Sequence, residues 1–228
     1  MHIPDGYLSP QTYVPFYAFT IPYLAVAARK VKNTIRSRHV PLLALGAAFS
    51  FVVMMFNVPI PGGTTGHAVG GVIVAILLGP WAASIAVSIA LIVQALLFGD
   101  GGITAIGANC FNMAVVIPFV GFYTYKLVAG KSDVTSLQRQ IAGAVAGYVG
   151  INVAAVCAGI ELGMQPLIAS APDGHPLYAP YPLSIAVPAM ALEHLLLFGF
   201  VEALVTALVV KYLQKTESEL LTIYGGTI

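Results

Sequence analysis

Charge is the scarcest property of this sequence. Asp, Glu, Lys and Arg together make up 8% of its 228 residues, against roughly 25% in an ordinary soluble domain. With 58% hydrophobic residues, the chain has too little polar surface to stay in water, and lipid is its natural solvent. A net charge of +1 supplies no basic field for nucleic acid. Cysteine is nearly absent as well. Cys110 and Cys157 each sit in an apolar run without Cys-x-x-Cys spacing and read as small buried hydrophobes. No Gly-x-x-x-x-Gly-Lys-Ser/Thr phosphate loop is present, so the sequence offers no nucleotide-hydrolysing site of that type. No His-Glu-x-x-His motif is present either, which argues against an intramembrane metalloenzyme. The start, Met-His-Ile-Pro-Asp-Gly-Tyr, lacks the basic residues and long apolar stretch of a cleavable signal. Met1 is therefore expected to be the mature N-terminus, with the bulky His2 hindering its removal.

What the sequence does have is apolar runs, separated by Gly, Pro and charge. They predict about seven spans, near 12–29, 40–57, 68–79, 81–98, 110–128, 138–160 and 186–213. The third is shorter than the roughly 20 residues a crossing needs, and reads as a half-helix or a segment shielded by protein on both sides. A Gly-rich turn is expected at 99–107, and 161–185, with five prolines, reads as an outer loop. Nothing remains for a soluble domain, so residues 1–228 form one all-α, polytopic membrane domain. Basic residues favour the cytoplasmic side. With the N-terminus outside, all ten, Arg29 to Lys215, fall inside or at cytoplasmic helix ends. The C-terminus is then cytoplasmic. This orientation places His2, Asp5, His67, Asp100, Asp173 and His175 on the outer side.

A free amine followed by a second-position histidine offers three nitrogens in series: the Met1 amine, the deprotonated His2 amide and the His2 Nδ1. Amine and amide close a five-membered chelate ring, and amide and Nδ1 a six-membered one, which holds the three nitrogens nearly coplanar. Planar nitrogen sets suit Ni(II) or Cu(II), whereas Zn(II) prefers a tetrahedron. One coplanar position stays open. His67, in the loop Pro59-Ile60-Pro61-Gly62-Gly63-Thr64-Thr65-Gly66-His67, is the best candidate to fill it, since glycine lets backbones approach closely. Its other ring nitrogen needs a partner, for which Asp5, Thr64 and Thr65 are candidates.

Four stretches then resemble one family. They are Met1 to Pro10, Pro61 to His67, Gln94-Ala95-Leu96-Leu97-Phe98-Gly99-Asp100-Gly101-Gly102-Ile103-Thr104, and Gly107-Ala108-Asn109-Cys110-Phe111-Asn112-Met113, with a weaker fifth from His194 to Glu202. The sequence is similar to the nickel/cobalt-specific substrate-binding membrane subunits, the NikM/CbiM type, of energy-coupling factor transporters. The resemblance implies a multi-pass protein of the prokaryotic cell (inner) membrane, with its N-terminal segment inserted into the helix bundle. It implies capture of Ni(II) or Co(II) as transported substrate by Met1, His2 and His67. It further implies a transmembrane coupling subunit, two cytoplasmic ATPases and often a small accessory membrane subunit as partners. A stand-alone secondary carrier is the alternative, with only Glu193, His194 and Glu202 to line a path.

The remaining polar residues keep two readings each. Asn109 and Asn112, three apart, are expected on one side of a helix; they brace the N-terminal segment or the His67 loop, or they join helices. Asp100 lies between two glycines and reads as a turn residue. Glu193, His194 and Glu202 lie in or near the last span, where ionisable groups are expensive; they are functional, or they lock helices together. Ala44, Ala48, Ala83, Ala86 and Ala90 mark close helix packing, within the chain or against a coupling subunit.

Overall fold

The computed structural model describes residues 1–34, 39–60 and 64–222. Arg36, Arg38 and the Pro61 to Gly63 turn lie outside the described residues, as does the side chain of Thr64.

A helix lies in each of the seven apolar runs. They are α1 (Pro10–Thr34), α2 (Val40–Met54), α3 (Gly71–Leu78), α4 (Pro80–Phe98), α5 (Ile106–Ala129), α6 (Leu137–Ile168) and α7 (Leu183–Thr216). Helices α4 to α7 are each long and apolar enough to cross a bilayer. Helix α3 has only eight residues, seven of them buried. It packs on α4, α5, α6 and α7, so protein rather than lipid covers its ends, as non-spanning backbone at membrane depth requires. Large apolar side chains such as Leu45, Leu127, Leu196 and Phe200 face outward. A surface of this kind suits hydrocarbon and not water.

Two expectations need correction. A short antiparallel hairpin, β1 (Val58–Ile60) and β2 (Thr64–Gly66), interrupts the all-α pattern. The β-branched Val58 and Ile60 and the run of Pro and Gly that follows them in sequence suit strand better than helix. The stretch 161–185 is also less of a loop than its prolines predicted. Helix α6 continues to Gly163 and adds a turn at Gln165–Ile168, because Pro166 sits at the start of that turn, where its missing N–H costs nothing. The irregular segment is 169–182.

The two ends of the bundle differ in kind. One gathers residues 1–9, the hairpin, the 99–105 turn and the end of α6. The Met1 amine donates to the Thr65 carbonyl, the Gly102 N–H to the Ile3 carbonyl and the Ser9 N–H to Gln165 Oε1. The other end joins the α5–α6 connection to the end of α7, where Gln214 Nε2 donates to the carbonyls of Val134 and Ser136. The α4 alanines Ala83, Ala86 and Ala90 are buried within the chain, whereas Ala44 and Ala48 on α2 are exposed.

Candidate metal site

Residues 1 to 3 are the most deeply enclosed terminus such a chain can have: Met1 and Ile3 are fully buried and His2 is 3% exposed. An extended peptide at this depth must satisfy its backbone groups, and the 99–109 region does so. Ile3 N–H donates to Asn109 Oδ1 at 2.9 Å, and its carbonyl accepts from Asn109 Nδ2 at 3.1 Å and from the Gly102 N–H at 2.8 Å. One side-chain amide thus serves as a surrogate neighbouring strand. Gly102 is required for the approach, since a Cβ there would lie 2.3 Å from the Asp5 nitrogen.

Asp5 fastens the far side of this contact. Its carboxylate accepts from the Ile103 N–H, the Thr104 N–H and the Thr104 hydroxyl at 3.0, 2.8 and 2.5 Å. Those hydrogen bonds favour the ionised form and hold the carboxyl below its ordinary value, against the opposing effect of its partial burial.

Hairpin and helix α7 deliver His67. Strand β2 ends at Gly66, where a Cβ would overlap the Phe198 ring, so only glycine lets the loop seat there. Beyond His67, two peptide N–H groups are held by Glu202, fully buried on α7. Its carboxylate accepts from the Val69 N–H at 2.7 Å and from the Gly70 N–H at 3.0 Å. Charge-assisted bonds of this type contribute roughly 1.5–3 kcal/mol each. Gly70 takes a left-handed φ of 70° directly before α3.

Three nitrogen-bearing groups meet as a result. His67 is fully buried. Its Nδ1 lies 3.0 Å from the Ala68 carbonyl, which fixes the proton on Nδ1 and leaves Nε2 with a lone pair. Nε2 lies 3.4 Å from the Met1 amine. The His2 and His67 rings stack with centroids 4.6 Å apart and planes 28° from parallel. His2 Nδ1 lies 3.4 Å from Asp100 Oδ1, and Gln94 also reaches this ring. Asp100 is itself steadied by Asn57 Nδ2 at 3.0 Å.

Burial sets the protonation of these groups. It lowers the Met1 amine to about 5, against the partial support of the Asp100 and Glu193 charges. Burial, with the nearby amine, lowers His2 to about 3. At neutral pH the amine and the imidazole are therefore uncharged, with lone pairs available. Among the described residues no three His, Cys, Asp or Glu side chains converge as a metal cluster. The convergence here is of another type, because two of its nitrogens are main-chain.

Several sequence candidates stand elsewhere. Asp5 and the Thr65 hydroxyl do not pair with the His67 ring, whose Nδ1 is taken by its own neighbour's carbonyl; Thr65 acts through its carbonyl on the Met1 amine. Asn112 does not join Asn109 on the N-terminal segment. Its Nδ2 donates to Glu161 Oε2 at 2.8 Å. A π-helical stretch, Cys110–Val116, begins between the two asparagines, so the α-helical spacing rule does not apply. His175 is exposed in the 169–182 segment, with its N–H on Asp173 Oδ1. Sequence reasoning missed Glu161 and Gln165 because it read them as loop, and missed Gln94. The π-helical turns Gln94–Phe98 and His194–Phe198 were not legible either, though π turns frequently mark functional sites.

Comparison with known proteins places the chain among metal transporters. The fused nickel transport protein NikMN of Rhodobacter capsulatus is 56% identical over 97% of this chain, which spans 64% of that protein's length. A cobalt transport protein CbiM of Lachnoclostridium phytofermentans is 41% identical over 56% of this chain and 52% of its own. A crystal structure of a truncated transition metal transporter superposes with a TM-score of 0.89 at 54% identity, covering 93% of this chain and 98% of that one. The family described as the cobalt uptake substrate-specific transmembrane region, CbiM, matches residues 2–220, and this chain, an integral membrane protein, belongs to it.

Proposed function

We propose that the chain captures Ni(II) or Co(II) in a plane of four nitrogens: the Met1 amine, the His2 amide, His2 Nδ1 and His67 Nε2. The observation that carries this reading is the buried approach of the Met1 amine to His67 Nε2 at 3.4 Å, with the His2 ring stacked beside it. Metal–nitrogen bonds of about 2.0–2.1 Å put adjacent donors of a square roughly 2.8–3.0 Å apart. The amine and Nε2 therefore need to close by about half an ångström. His2 Nδ1 exchanges its contact with Asp100 for the metal, and the amide gives up its proton. Two uncharged imidazoles, an uncharged amine and an amidate leave a dication with a net charge of about +1. The carboxylates of Asp100 and Glu193 lie close enough to act on it.

The membrane arrangement we infer has seven crossings, the N-terminus outside and the C-terminus inside. All eight described basic residues other than histidine, Arg29 to Lys215, lie toward the end of the bundle opposite Met1, in keeping with a cytoplasmic face. The chain is then the substrate-specific subunit of an energy-coupling factor importer. A transmembrane coupling subunit and cytoplasmic ATPases supply the energy, with a small accessory subunit as a further partner. It is a transport subunit and not an enzyme.

Adding one residue ahead of Met1 converts the amine to an amide and removes one donor. The purified wild-type protein is expected to retain about one Ni(II) or Co(II) per chain. Undiminished metal in the extended protein would rule out the N-terminal chelate.

A further inference from the structure

Helix α7 touches the His67 loop at more points than a structural brace needs. Phe198 lies against Gly66, and Glu202 holds the Val69 and Gly70 N–H groups. His194 lies one turn before Phe198 on the same helix, with ring centroids 5.4 Å apart, and so packs on the side chain that meets the loop. A π turn takes more residues per revolution than an α turn, so His194 and Phe198 fall nearer to one line along α7.

His194 is fully buried. Its Nδ1 lies 2.8 Å from the Met190 carbonyl, which places the proton on Nδ1. Nε2 is then a lone-pair nitrogen, buried and with no hydrogen-bond partner among the described residues. Leaving such an atom unsatisfied costs stability, and the chain keeps it. The arrangement resembles that of His67, where a backbone carbonyl takes Nδ1–H and Nε2 faces the Met1 amine. His194 is near enough to feel the charge of both His67 and the Met1 amine. Glu193, beside it, has a buried carboxylate oxygen that also lacks a partner. A neutral imidazole nitrogen with a carboxylate alongside is a donor set for a divalent transition ion.

His2, His67 and His194 do not converge on one point in the structure, so His194 is not a fifth ligand of the same plane. We propose that His194 Nε2 is a second, successive metal ligand, to which the ion passes from the planar site while still held by His67. This rests on the planar reading above. A planar four-nitrogen ion has open axial positions, and a nitrogen entering there labilises the in-plane donors. His67 is the donor to be shared, because it reaches the plane from a loop that α7 itself holds. The amide nitrogen regains its proton from solvent as the plane opens. Metal–ligand bonds exchange without redox change.

Two measurements test this with the purified chain, the first with Ni(II) alone and the second with Co(II) alone. In the otherwise unaltered protein, His194→Gln keeps the shape and removes the strong donor. We expect it to leave Ni(II) occupancy within twofold of wild type and to slow exchange of bound nickel for radioactive Ni(II) at least fivefold. Unchanged exchange would overturn the proposal. A lost occupancy would overturn it too, by making His194 part of the first site. The second measurement uses the chain extended ahead of Met1. Residual Co(II) binding, at least a hundredfold weaker, should show imidazole scattering in X-ray absorption and fall a further tenfold with His194→Gln. Residual binding insensitive to His194 would contradict the second station. Binding undiminished by the extension itself would instead contradict the planar site, so the two failures are distinguishable.

Discussion

The end of the bundle that holds Met1 and the opposite end solve different problems with the same helices. At the far end, helices stop in ordinary ways. Gly130 closes α5, Arg139 and Gln214 bind loop carbonyls, and the basic side chains are mostly exposed. At the Met1 end, backbone that is neither helix nor regular strand is buried, and side chains stand in for missing neighbours: Asn109 for Ile3, Glu202 for residues 69 and 70, Asp5 for residues 103 and 104. Among the described residues, buried side-chain atoms without a hydrogen-bond partner occur there as well, on Glu193 and His194, and such groups destabilise a fold.

If that contrast is functional, damage to the Met1 end should change metal retention, and damage to the far end should change only stability. The largest effect is expected for His67→Ala, which deletes a donor: metal retained after purification should fall more than a hundredfold, measured by mass spectrometry of the protein's metal content. Glu202→Ala frees the Val69 and Gly70 N–H groups and should weaken Ni(II) binding roughly 10–100-fold, the usual range for groups that hold a ligand in place. Titration calorimetry checks it. Asn109→Ala should cost about tenfold in the same assay.

The pH dependence sharpens the comparison further. Between pH 8 and 5 the docked amine, lowered to about 5 from its ordinary 8.0, has no proton to give. Only the His2 amide releases one, so affinity should fall about tenfold per pH unit. Below about 5 the amine is protonated as well, and the slope should steepen toward about a hundredfold per unit. An amine with its ordinary value would show the steeper slope from pH 8 downward. In the metal-free protein the undocked terminus takes up a proton below about pH 8 that the docked one refuses. Docking of residues 1–3 therefore weakens as pH falls below 8, and the His2 ring, lowered from 6.5 to about 3, continues the same trend below pH 5. The smallest effect belongs to Gln214→Ala at the far end. It should cost roughly 1 kcal/mol of stability, read as a lowered Tm, with Ni(II) affinity unchanged.

Much of this division was legible in the sequence. Apolar runs bounded by Gly and Pro coincide with α1 to α7 among the described residues, because burial in lipid writes itself as continuous hydrophobicity. The meeting of Met1, His2 and His67 was legible because chelate geometry at a chain terminus is local and a Gly-rich loop can bring a histidine to it. What holds them was not. Asn112 was expected beside Asn109, and a π-helical stretch turned it toward Glu161 instead. Glu202 was visible as a costly charge in a span, but its partners are backbone N–H groups more than 130 residues away, and backbone carries no sequence signal. Glu161 was hidden by the prolines that follow it, which punctuate helix α6 without ending it where expected.

The central claim is that the chain's own amine is a ligand, and the one-residue extension ahead of Met1 tests it most directly. Wild type, extended protein and His67→Ala would be purified in parallel and their bound Ni(II) or Co(II) counted per chain. The account predicts about one ion in the wild type, and in the two variants a loss of more than a hundredfold in affinity. An extended protein that retains its metal as wild type does would contradict it.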